Sequence, residues 1–122
     1  MFRRPVILAL VVGAILVAAN ASAASQAAPK VNGTVGPGFT ISLKMNGKAV
    51  KTLKAGSYSF VIADKASIHN FVVEKKGGSF EKALTTVGFK GTKTVTVKLT
   101  AGKWEFYCAP HEATMHGDFT VK

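Results

Sequence analysis

Cys108, His111 and Met115 sit within eight consecutive positions of the stretch YCAPHEATMH (107–116), and His69 lies 39 residues before the cysteine. Cys108 is the only cysteine of the 122-residue chain, and two of its three histidines fall in this stretch. One thiolate, two imidazoles and one thioether form a specific donor set. Soft sulfur suits Cu(I), imidazole suits both oxidation states, and a trigonal His₂Cys plane with a long axial Met accommodates both with little rearrangement. The spacing Cys-x₂-His-x₃-Met therefore points to a mononuclear type 1 (blue) copper centre. It would hold one copper per chain between His69, Cys108, His111 and Met115. Pro110 stiffens the loop by fixing its own φ and restricting Ala109. His116 neighbours Met115 and, in an extended segment, points the other way, toward solvent. Met45 lies in the turn KMNGK and is no candidate.

Short strands must hold these donors. Phe39, Ile41 and Leu43 alternate in FTISLK, Tyr58, Phe60 and Ile62 in GSYSFVIAD, and Val95, Val97 and Leu99 in KTVTVKLT. Trp104, Phe106 and Cys108 alternate in GKWEFYC, Phe119 and Val121 share a face of GDFTVK, and NFVVE is a short apolar run after His69. Period-two alternation marks half-buried strands. The breaks at VGPG, MNGK, KAG, KKGGS, FKG and TAG are turn chemistry. SFEKALTTV reads at best as a short helical turn. The pattern predicts an all-β sandwich or small barrel. Cys108 then ends a strand with its side chain inward, and Gly117 lets the chain turn into the last strand. His69 lies in a loop that can meet the 109–115 loop at one end of the sandwich.

The first residues address the chain. Arg3 and Arg4 precede an uncharged apolar run, Val6 to Ala19, and Ala21-Ser22-Ala23 supplies small residues. This is the pattern of a secretory signal peptide over 1–23, cleaved after Ala23. The run is shorter than the ~20 residues a spanning helix needs, so no stable membrane insertion is expected after cleavage. Residues 24–30 form a tether and 31–122 one domain, periplasmic or extracellular and monomeric. A lone thiol in an oxidising compartment is exposed to oxidation unless it is buried or something occupies it.

The chain carries 16 Lys and Arg against 6 Asp and Glu, a net charge of +10. Without Arg3 and Arg4 this becomes +8, which favours encounters with acidic proteins. The lysines are scattered, and an exported chain does not read as a nucleic-acid binder. Three histidines cannot supply the extra centres of a copper oxidase or nitrite reductase, and no Ser-His-Asp or zinc-protease pattern is present, so the chain is not expected to be an enzyme.

SIHNFVV, YCAPHEATM and HGDFTV resemble the cupredoxin family of small blue copper proteins, close to plastocyanin, amicyanin and pseudoazurin. The resemblance covers about residues 31–122. It implies an eight-stranded Greek-key sandwich with copper at one end and outer-sphere electron transfer with redox partner proteins through the exposed edge of His111. The His-to-Met spacing is one residue shorter than in plastocyanin and one longer than in amicyanin. Ala109 stands where a Ser or Thr is common, which leaves Asn70 to bond backbone. The competing functional class is a copper-binding protein of sequestration or delivery. Such proteins tend toward exposed Met and His tracts, which this sequence lacks.

Overall fold

A strand with one apolar face must bury it against another such face, and the alternating segments do so in two layers. The computed structural model describes residues 13–15, 17 and 27–122. The signal segment expected over 1–23 lies, apart from four residues, outside them, as do residues 24–26 of the tether. Among the described residues no helix is long and apolar enough to cross a membrane. The strands are β1 (Lys30–Val35), β2 (Ile41–Met45), β3 (Lys48–Ala49), β4 (Thr52–Leu53), β5 (Gly56–Asp64), β6 (Phe71–Lys75), β7 (Glu81–Thr85), β8 (Gly91–Leu99), β9 (Gly102–Tyr107) and β10 (His116–Val121). One sheet has the order β3-β2-β1-β5-β8 and the other β4-β10-β9-β6-β7. Setting aside the two-residue β3 and β4, eight strands make a β-sandwich, as expected. Neighbours pair antiparallel except β1 with β5 and β4 with β10, which are parallel.

Inward side chains of both sheets form one core. Val31, Leu43, Tyr58, Phe60, Ile62, Val97 and Leu99 come from the first sheet, and Phe71, Val73, Leu84, Trp104, Phe106, Phe119 and Val121 from the second. Each large apolar side chain fully removed from water contributes about 1.5–3 kcal/mol before entropy is charged against it. Trp104 keeps its indole N–H satisfied by donating to the carbonyl of Thr100 at 2.8 Å.

The structure departs from these expectations in several places. SFEKALTTV is not helical: Glu81–Thr85 is the edge strand β7, whose burial does not alternate, since Glu81, Lys82 and Ala83 are exposed and Leu84 and Thr85 buried. The sequence of β1, KVNGTV, does not read as a strand, because Gly33 interrupts its pattern. A Cβ at Gly33 would lie 2.5 Å from Ile62 Cδ1 and 2.8 Å from Phe71 Cε2, so the strand passes where only glycine fits. Phe39 does not belong to the alternating face of β2. The strand starts at Ile41, and Phe39 is 60% exposed in the preceding loop.

Register brings four loops to one end. Val35 pairs with Asp64, and Asp64 with Gly91, so the loops 36–40, 65–70 and 86–90 lie together. Val72 pairs with Tyr107, which adds the loop 108–115. His69 and the Cys-His-Met loop therefore share an end.

Candidate metal centre

Cys108 follows β9 directly and is fully buried. Its N–H donates to the Met115 carbonyl at 3.0 Å, continuing the β9–β10 ladder past the Tyr107–His116 pair. Between these closures Ala109–His111 forms a 3₁₀ turn with Pro110 in its first positions. The His111 N–H donates to the Cys108 carbonyl at 3.0 Å and the Met115 N–H to the His111 carbonyl at 2.8 Å. The loop is thus tied at both ends and across its middle.

The turn aims the donors at one point. His69 Nδ1 and His111 Nδ1 are 3.2 Å apart, and Cys108 Sγ is 3.7 Å from each. A point in the plane of these three atoms lies about 2 Å from all of them. That matches the ~2.0–2.1 Å of a first-row ion to imidazole nitrogen and is a little short of the ~2.3 Å to thiolate. His69 is fully buried, and its Nε2 has no hydrogen-bond partner, so Nδ1 is its engaged atom. Met115 is fully buried in the same core cluster as Cys108. Its sulfur is a weak donor, unsuited to the four strong ligands of a structural zinc site. Two imidazoles, a thiolate and a thioether fit one type 1 copper, with His69, Cys108, His111 and Met115 as the residues that would hold it. His116 faces outward as expected, its Nδ1 2.8 Å from the Glu112 carbonyl.

A supporting bond fixes the two halves. Asn70 Oδ1 accepts from the Ala109 N–H at 2.8 Å, joining the residue after His69 to the residue after Cys108. This is the backbone bond that Ala109 leaves to Asn70. The bond is only part-buried, so its loss costs about 0.5–1.5 kcal/mol, the net worth of an ordinary hydrogen bond.

Sequence reasoning missed two features. The first is Phe39, whose ring meets both imidazoles. The second is a row of carboxylates across the outer face of the second sheet. Glu81 pairs with Glu74, Glu74 with Glu105, and Glu105 with Asp118. Carboxylate oxygens of Glu74, Glu105 and Glu112 lie within 4.8 Å of one another. Burial, with Glu105 and Glu81 beside it, pushes the Glu74 carboxyl above the usual range. Burial and a hydrogen bond to Glu81 push the Tyr107 hydroxyl well above its ordinary value. Lys76 offsets part of the row, 2.8 Å from Asp118 and 4.0 Å from Glu105. That pairing is screened by solvent and adds little to stability. These residues are far apart in sequence, and a register between strands was needed to bring them together.

A family model described as copper binding proteins, plastocyanin/azurin family, matches residues 34–122. Among curated proteins, none matches the chain by sequence. Several solved structures share its fold. Reduced rusticyanin superposes with a TM-score of 0.58 at 23% identity over 76% of this chain and 78% of that one. Auracyanin A, a "blue" copper protein from the green thermophilic photosynthetic bacterium Chloroflexus aurantiacus, gives 0.57 at 15% identity over 79% and 100%. A mutant of amicyanin, Cu(I), gives 0.51 at 14% identity over 76% and 82%.

Proposed function

The chain belongs to the plastocyanin/azurin family of copper-binding proteins, and we propose that this member is an exported electron carrier rather than an enzyme. Copper bound between His69, Cys108, His111 and Met115 would supply a one-electron Cu(I)/Cu(II) couple. The observation that carries the reading is the convergence of three donor atoms on one point within a loop tied by its own backbone bonds. A preformed, closed set changes little between oxidation states, which favours redox cycling over release of the ion.

His111 provides the exit. His69 and Cys108 are fully buried, whereas His111 is half-buried and flanked by exposed Ala109 and Pro110. Small apolar groups allow a partner to come close without stripping water from charges. Redox proteins are the proposed partners. Lys65 lies in one loop of this end and Lys90 in another, while Glu112 follows His111. An acidic partner would therefore approach over the lysine side rather than over the carboxylate row.

Cycling distinguishes the carrier from a copper-delivery protein. Protein loaded with one Cu(II) is expected to lose its visible band on one-electron reduction by ascorbate and regain it in full with ferricyanide. Metal content should stay unchanged over repeated cycles in the presence of a Cu(I) chelator. Copper passing to the chelator at each reduction would favour delivery and overturn the carrier reading.

The axial assignment has its own test. A thioether at long range tunes potential more than it holds metal. Met115→Leu is expected to stay blue with a raised reduction potential, and His116→Ala to leave colour and potential unchanged in voltammetry. Bleaching by His116→Ala without an effect of Met115→Leu would transfer the role to His116.

A further inference from the structure

The loop between β1 and β2 reaches over both imidazoles. Gly36 has left-handed backbone, φ 73°, and a Cβ there would come within 3.0 Å of His69 Cδ2. Its N–H donates to the Thr40 carbonyl at 2.9 Å and closes the loop. The closure sets the Phe39 ring against the pair. Ring centres are 5.5 Å apart for His69 and 4.9 Å for His111, with planes at 75° and 89°. The two imidazoles are themselves edge-on, 5.0 Å apart at 76°. Three rings thus meet mutually edge to face, an arrangement aromatic quadrupoles favour.

The two histidines differ in what else holds them. His69 is fully buried and packed against Gly36. His111 is half-buried on a short turn. Among the described residues, the side-chain atoms within hydrogen-bond distance of its ring are His69 Nδ1 and Cys108 Sγ. Both are donors that a metal would claim, so neither fixes the ring independently of the centre. Phe39 meets the His111 ring without offering a ligand. Phe39 lies outside the buried core and is largely exposed, so the core does not account for a phenyl ring at this place.

We infer that Phe39 is a positioning residue of the centre: its ring holds His111 in the orientation that presents Nδ1 and screens the donor atoms from water. The inference rests on the copper reading above, but its first measurement is made without metal. In the metal-free protein, NMR is expected to show contacts between the Phe39 and His111 rings and one His111 rotamer near Cys108. In Phe39→Ala the His111 ring averages over rotamers and loses its contacts to Cys108, while His69 stays fixed. In the Cu(II)-loaded protein, extraction by EDTA becomes faster on the order of tenfold, the effect of losing two ring contacts. Phe39→Tyr, which keeps the ring, behaves as wild type in both measurements. Val87→Ala, at another exposed apolar side chain of the same end, changes neither. An unchanged His111 ring in metal-free Phe39→Ala, or extraction within about twofold of wild type, would overturn the proposal. If the wild type takes up no copper the copper reading fails, and the metal-free ring measurement still decides whether Phe39 orients His111.

Discussion

Replacing Cys108 with Ser is expected to abolish the thiolate-to-copper band and lower copper affinity by more than about 100-fold, while leaving a folded sandwich. Loss of a supporting partner alone costs 10–100-fold in such sites, and here a donor itself is lost. Cys108 supplies the one soft anion of the set and is fully buried. Both Nδ1 atoms face it, so a serine hydroxyl keeps polar neighbours, and the stability change should stay within about 2 kcal/mol. Cys108 is one small member of a core built from both sheets, so the fold is expected to survive the loss of its sulfur. Visible absorption, a copper titration and a urea melt check the three parts. A band that persists in the serine variant would remove Cys108 from the centre, and loss of the fold would mean that the thiol is chiefly a packing group.

The donors were legible in the sequence because their chemistry is rare. One cysteine followed at short range by histidine and methionine has few other uses, and a single loop carries these three residues, whereas His69 reaches them only through the pairing of β6 with β9. Strands with strict alternation, such as β5 and β9, were legible for a related reason: a period of two is written locally. What failed depends on neighbours in space. Gly33 looks like a break until Ile62 and Phe71 are seen to fill the space beside it. Phe39 continues the alternation of Ile41 and Leu43 by coincidence, and the loop closed at Gly36 and Thr40 carries it instead to the two imidazoles. The carboxylate row exists through the pairings of β7, β6, β9 and β10, which a single chain read in order does not display.

By sequence Gly117 reads as a turn residue, and its place in β10 gives it a different role with a large expected effect. It pairs with Phe106 across the sheet. A Cβ at Gly117 would sit 2.3 Å from Phe106 Cζ and 2.8 Å from both Cε atoms. Carbon atoms rest at roughly 3.5–4.0 Å, so Gly117→Ala must displace the ring or the strand. The ring is confined. It stacks on Phe71 at 5.7 Å with planes 7° apart and tilts against Phe119 at 6.4 Å. Forcing a methyl group into such packing costs about 1–3 kcal/mol. The strain also reaches the centre, because Phe71 follows His69 by two residues and Phe106 precedes Cys108 by two. Moving β10 would loosen the Tyr107–His116 pair that closes the metal loop. Gly117→Ala is therefore expected to lower the urea midpoint and speed copper loss together. Gly38→Ala, where a Cβ meets nothing within 4 Å, should stay within about 0.5 kcal/mol of wild type. Trimming the ring should relieve the clash, so Phe106→Leu is expected to cost less in the Gly117→Ala background than alone. Strictly additive costs would show that the destabilisation comes from the strand and not from the ring.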